Sequence, residues 1–232
     1  MTLTFAISPF FSDPFSGFAA DQFPIPQVDP PIQPVGWAFS IWGLIYGWLI
    51  VSAGYGLWKR ADASDWDRAR LPLILSLAAG TPWLAVALAN AEAATVLIWI
   101  MLGTALWALL AAPLRDRWWF AAPVGLYAGW LTAASFVSLA SFGAGYGLLT
   151  DQTGWAYIGI AGALIVGALV LLRRPGTVTY PAAIAWALIG IIAANGLENT
   201  GISATAAIGI VILAALTFRG NLTSKAASPD AS

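Results

Sequence analysis

The chain has 232 residues, of which 59% are hydrophobic and 9% charged, with a formal net charge of -1 and a mean hydropathy of +0.79. A soluble domain carries about 25% charged residues, so this composition excludes a water-soluble globule. Cysteine and histidine are both absent, which removes disulfides, thiol chemistry and the commonest metal and haem ligand.

Residues 1–34 hold no Lys or Arg but carry Asp13, Asp21 and Asp29. No positive n-region followed by an apolar stretch opens them, so they read as a translocated tail rather than a signal peptide. Their proline density argues against helix, and their phenylalanines argue against full solvation. Two arrangements follow: a lid folded over the outer mouth of a bundle or lying in the headgroup layer, or a partly disordered terminus.

Continuously apolar runs then recur at 35–58, 71–91, 93–113, 118–142, 155–172, 179–197 and 202–218. Several approach the roughly 20 residues that span a bilayer, and none alternates as a transmembrane barrel strand does. The expected fold is all-α, a polytopic membrane helix bundle of seven transmembrane helices. The breaks are a charged linker at 59–70, a tight turn at 90–92, the L-R-D-R segment at 114–117, a glycine-rich stretch at 143–154, R-R-P-G at 173–176, and N-G-L-E-N-T-G at 195–201.

The ten basic residues test this count. Lys59, Arg60, Arg68, Arg70, Arg115, Arg117, Arg173, Arg174, Arg219 and Lys225 all fall on one side if seven spans follow an outer tail. Basic residues of short loops stay in the cytoplasm, which places the N-terminus outside and the C-terminus, with a disordered tail at 219–232, in the cytoplasm.

Lys59 and Lys225 lie in cytoplasmic segments, so no lysine is offered inside the bundle for a retinal Schiff base. Glu92, Asp151 and Glu198 fall in outer loops and Asp116 in a cytoplasmic one, so no acid sits at a span centre where an ion-coupled transporter keeps one. Glu198, flanked by Asn195 and Asn199, is the nearest approach to a catalytic constellation, and such residues commonly just cap a turn. The expectation is a protein that is not an enzyme.

Twelve of the thirteen tryptophans, all but Trp37, divide by depth. Trp58, Trp66, Trp118, Trp119 and Trp155 lie at span ends, where indole rings anchor at the headgroups. Trp42, Trp48, Trp83, Trp99, Trp107, Trp130 and Trp186 lie deeper, either facing lipid or lining a pocket between helices. Phe39, Trp42 and Tyr46 share one helical face. Tyr127 and Trp130 stand beside Gly125 and Gly129, as Tyr46 stands beside Gly43 and Gly47. Both G-x-x-x-G pairs read as close intramolecular helix contacts, with a dimer interface as the alternative. Asn90, Ser40, Thr132, Ser135 and Ser138 could add polar groups to a cavity, although such hydroxyls usually bond their own helix backbone.

The stretch Q-P-V-G-W-A-F-S-I-W-G-L-I-Y-G-W, closing at G-L-W-K (56–59), resembles the signature of the TspO/MBR family, the tryptophan-rich sensory proteins related to the peripheral benzodiazepine receptor. Gly36, Trp37, Phe39, Trp42, Tyr46, Trp58 and Lys59 carry the match, with a weaker echo in Pro123, Trp130 and Thr132–Ser135. The chain departs from the family pattern in lacking its first span, in adding three helices after residue 154, and in Ile41, where a proline normally precedes the tryptophan. The organisation read from this is a tail or lid at 1–34, a TspO-like four-helix part at 35–142, three additional helices at 143–218, and the cytoplasmic end.

The resemblance implies a receptor or carrier of the bacterial inner membrane. It would bind a flat hydrophobic ligand, a tetrapyrrole (porphyrin) or sterol-like molecule, without covalent attachment, beneath a lid at 22–34. It also implies that Trp37, Phe39, Trp42 and Tyr46 line the cavity; Trp83, Tyr127, Trp130 and Ser135 complete the expected site. No metal site and no nucleic-acid partner are expected; the partners are a hydrophobic small molecule and the lipid bilayer, with a homodimer or a membrane-complex partner also open. Two further readings remain: an accessory or assembly subunit of a photosynthetic or respiratory complex, and a facilitator for an uncharged solute.

Overall fold

The computed structural model describes residues 1–226, and these are helical without strands. A short α1 (Thr2–Ile7) precedes α2 (Ile41–Lys59), α3 (Ser64–Ala89), α4 (Ala91–Ala111), α5 (Ala121–Gly145), α6 (Gln152–Arg173), α7 (Thr179–Asn195) and α8 (Thr200–Ala226), with 3-10 turns at Ser8–Phe11, Ala20–Gln22 and Gly36–Ser40. Among the described residues six helices are long and apolar enough to cross a membrane, so the chain is a multi-pass membrane protein. The other expected span corresponds to α7, apolar but only 17 residues long.

α5 is the hub, buried along nearly its whole length between α4, α6, α7 and α2. Its run of Ala, Gly, Ser and Thr is the reason, since small residues let neighbouring backbones approach where lipid gives no hydrophobic drive between helices. A Cβ on Gly129 would collide with the Tyr180 carbonyl of α7, and one on Gly143 with the Trp155 ring of α6. Thr132 Oγ1 and the Tyr180 hydroxyl, 3.0 Å apart, tie α5 to α7.

Gly125 and Gly129 therefore make the intramolecular contacts expected of them. Gly43 and Gly47 do not: a Cβ at either meets nothing within 4 Å. α2 lies at the bundle's edge and turns these glycines outward, so their intramolecular reading is corrected.

All described arginines gather at one end of the bundle. There Asp116 is a hub: Arg60 donates to it at 2.6 and 3.0 Å, and the Tyr55 hydroxyl and Trp66 indole each donate at 3.2 Å. Trp66 is buried rather than anchored at the interface, packed edge-on to Phe120 at 4.7 Å. Its burial explains why α3 starts at Ser64, inside the expected 59–70 linker, with Asp65 and Asp67 in the first turn where the helix dipole favours acids. Trp155 is likewise buried, its indole donating to the Leu148 carbonyl at 2.6 Å. Of the expected C-terminal tail, residues 219–226 continue α8 and the remainder lies outside the described residues.

The opposite end is closed by the N-terminal segment. Gln22 donates to the Ala87 carbonyl at 3.0 Å, Ile25 N–H to the Gly145 carbonyl at 2.9 Å, and Asn195 from α7 to the Pro31 carbonyl at 2.8 Å. Asn90 and Asp151 cap α4 and α6 there, accepting from the amides of Ala93 and Gly154, the ordinary use of such residues.

An aromatic cavity beneath the N-terminal segment

The 3-10 turn Gly36–Ser40 delivers Phe39 into the bundle, and α2 follows at once with Trp42 in its first turn and Tyr46 one turn further on. Phe39 and Trp42 stand edge-on to Trp130 of α5, with ring centroids 5.7 and 6.2 Å away. Trp42 stacks on Tyr46 at 5.3 Å with 17° between planes. Trp83 of α3 donates to the Ala94 carbonyl of α4 at 3.0 Å, which fixes its ring against the cavity. Offset and edge-on ring pairs of this kind are the favoured aromatic geometries.

Together with Ile98, Ala133, Val137 and Ser138, these side chains enclose a cavity of about 40 Å³. The N-terminal segment supplies what closes it. Phe15 packs edge-on to Trp83 at 5.2 Å and to Phe39 at 6.1 Å, with Phe18 beside it at 5.7 Å. One turn deeper, Phe5 of α1 sits against Trp42, Tyr46 and Tyr127 at 6.1, 5.2 and 5.7 Å. It is 2% exposed and lies over Gly80 of α3, where no side chain intervenes.

Of the eight expected residues, Phe39, Trp42, Trp83 and Trp130 line the cavity. Tyr46 and Tyr127 form the layer below it around Phe5, and the Tyr127 hydroxyl lies 2.9 Å from Ser76 Oγ. Ser135 is buried away from the cavity, its hydroxyl 3.4 Å from the Ile98 carbonyl; Ser138, one turn on, takes its place in the wall. Trp37 points outward, 48% exposed, against Trp186 at 5.1 Å. Sequence reasoning missed Phe5, Phe15 and Phe18. The density of phenylalanine in the tail signalled burial but not a destination.

The lining is almost wholly apolar, and one polar atom in it lacks a partner. Trp130 is 2% exposed, and its indole N–H donates to no acceptor among the described residues. Buried donors are nearly always satisfied, so this one is notable. Among the described residues no cluster of three or more His, Cys, Asp or Glu could hold a metal ion.

Residues 23–219 match the family model described as TSPO-like protein. The chain belongs to this TSPO-like family. The match continues through α6, α7 and α8, beyond the 35–142 that the signature residues mark out. It begins after Phe5, Phe15 and Phe18, so the phenylalanines that close the cavity precede the matched region, while Gln33 and Pro34 of its lining lie within it. The chain matches no curated protein and no solved structure.

Proposed function

We propose that this TSPO-like protein is a non-catalytic receptor or carrier of the bacterial inner membrane that takes a flat hydrophobic molecule, a tetrapyrrole or sterol-like lipid, among Phe39, Trp42, Trp83 and Trp130. The observation that carries the reading is the aromatic-walled cavity that includes Trp130, whose buried indole N–H has no partner among the described residues and is a donor that a ligand carbonyl or carboxylate would satisfy. In this reading α2–α8 all span the bilayer, α7 included, since about 17 residues is the short limit for a span. The gathering of arginines at one end supports a cytoplasmic location for that end.

Ligand sites measure about 300–1,000 Å³, so the 40 Å³ cavity does not accommodate a tetrapyrrole while the N-terminal segment is seated. Binding therefore requires Phe15 and Phe18 to leave, and the segment competes with the ligand for the same rings. Titration of the detergent-purified protein with protoporphyrin, read by tryptophan quenching with a sterol as comparison, tests the reading. Saturable quenching that weakens in Trp42→Ala but not in the lipid-facing Trp107→Ala is expected. Linear quenching that neither substitution alters refutes it.

The outward Gly43 and Gly47 face favours a second reading, in which α2 packs on a helix of another chain as a homodimer or within a larger membrane complex. Stoichiometric protein co-purifying in mild detergent, or a dimer mass lost in Gly47→Leu, supports it; a monomer mass for the unmodified chain counts against it.

A further inference from the structure

A second, larger cavity lies at the arginine-rich end, far from the aromatic site. It is an open groove of about 820 Å³ between the 112–120 loop, the 174–178 loop and the end of α8. Arg117 and Arg174 stand in its wall. Arg174 donates to the Leu110 and Pro113 carbonyls, both at 3.2 Å, and Arg117 to the Gly176 carbonyl. These bonds position the guanidinium groups without neutralising them. Neither reaches a carboxylate among the described residues, while Asp116, Asp65 and Asp67 are engaged by Arg60, Arg115 and Arg70.

The two cations feel each other. Burial, and then the nearby Arg117 charge, lower the proton affinity of Arg174. α7 begins in the same wall at Thr179, with no side-chain cap from Val178, so the positive end of its dipole adds to the field. The rim is apolar and exposed: Leu114, Trp118, Phe218 and Leu222. A soluble anion would leave that rim uncovered, whereas acyl chains would cover it.

We propose that this groove binds the phosphate headgroup of an anionic phospholipid, with Arg117 and Arg174 as its counter-charges and Trp118 and Phe218 against its chains. The motivating juxtaposition is two arginines with no carboxylate partner among the described residues beside exposed apolar side chains in one groove, and the inference does not depend on the ligand of the aromatic cavity. Basic pockets between helices at the cytoplasmic surface commonly hold acidic headgroups.

The test titrates detergent-purified protein with phosphatidylglycerol, phosphatidylcholine or inorganic phosphate, reading the melting temperature and, by native mass spectrometry, the lipid retained. Phosphatidylglycerol is expected to bind saturably and raise the melting temperature by several degrees over phosphatidylcholine. Arg117→Gln with Arg174→Gln weakens that binding about 30-fold, from the worth of two basic residues at an anionic membrane surface. Because those arginines also hold loop carbonyls, Asn221→Glu in the same wall gives a second measurement: it sets a carboxylate against the phosphate, leaves both arginines in place, and is expected to cost tenfold or more. Arg68→Gln, exposed and outside the groove, leaves binding unchanged. Equal stabilisation by phosphatidylcholine, unchanged affinity in Asn221→Glu, or inorganic phosphate alone reproducing the full shift would each overturn the assignment.

Discussion

Phe5→Ala separates a segment that merely packs from one that competes with a ligand. Phe5 is 2% exposed and makes three ring contacts, each worth about 0.5–1.5 kcal/mol beyond area burial. Truncating a buried phenylalanine costs about 3–5 kcal/mol in soluble cores. A figure of about 3 kcal/mol for its hold on the closed segment sits within both ranges. If the ligand needs the segment to leave, its apparent affinity is the intrinsic one multiplied by the fraction open. Releasing about 3 kcal/mol then tightens protoporphyrin binding by about 100-fold, until the open form predominates.

The same substitution lowers the ligand-free melting temperature, so stability and affinity move in opposite directions. Phe10→Ala, on the same segment but 86% exposed, should change neither. Quenching titrations and thermal melts of the three proteins decide the matter. A Phe5→Ala protein that retains its helical circular dichroism and binds no tighter than the unmodified chain would refute the competition.

Three further outcomes follow from the same geometry. Trp130→Phe deletes the unpartnered N–H together with part of the indole ring, so it should weaken a ligand carrying an acceptor about fivefold or more, the worth of at least one hydrogen bond; the ligand-free melting temperature should fall with the lost packing, and an unchanged affinity for such a ligand would mean that the indole N–H does not meet it. Gly129→Ala drives a methyl into the Tyr180 carbonyl and should cost about 1–3 kcal/mol in a detergent melt, whereas Gly47→Ala, facing open space, should be neutral or mildly stabilising; equal effects would contradict the packing of α5 on α7. Asp116→Asn tests the hub at the arginine-rich end: hydrogen bonding from Arg60, its largest influence, holds the Asp116 carboxyl below its ordinary 3.8, so its stabilisation is complete above that value and is lost as pH falls through the lower folded one. The melting-temperature gap between the variant and the unmodified chain should stay constant from neutral pH to about 5 and close on further acidification, and a gap that widens in acid would contradict the assignment.

Hydropathy and charge are strong signals where water and lipid sort side chains, and the seven apolar runs correspond to α2–α8, with individual ends displaced by up to about eight residues. Errors cluster where tertiary packing overrides a local rule. Trp66 and Trp155 carry the sequence mark of interfacial anchors, yet each buries its ring and finds a carboxylate or carbonyl for its N–H. The same logic lengthened α3 into a segment that composition marks as linker. Gly43 and Gly47 have the spacing of Gly125 and Gly129 but no helix beside them, because spacing states that close approach is allowed and not whether a neighbour is present.

The site was legible in part for a related reason. A helical wheel places Phe39, Trp42 and Tyr46 on one face, and family resemblance points to the same face, but neither knows that the turn Gly36–Ser40 swings Trp37 outward onto Trp186. Nor does periodicity reach residues 1–22, whose only regular pieces are the six-residue α1 and two short 3-10 turns, so the aromatic side chains that close the cavity from there were invisible to it. Their position bears on function. The walls belong to the region matched by the TSPO-like family and the phenylalanines that close them precede it, so under the proposed function the affinity for a ligand would depend on two separable quantities. One is the fit of the ligand to Trp42, Trp83 and Trp130; the other is the free energy with which Phe5, Phe15 and Phe18 hold the segment down. A substitution in the first changes which ligand binds, and one in the second changes how tightly every ligand binds by a common factor. Protoporphyrin and sterol titrations of Phe5→Ala should therefore shift in parallel, while those of Trp83→Ala should diverge.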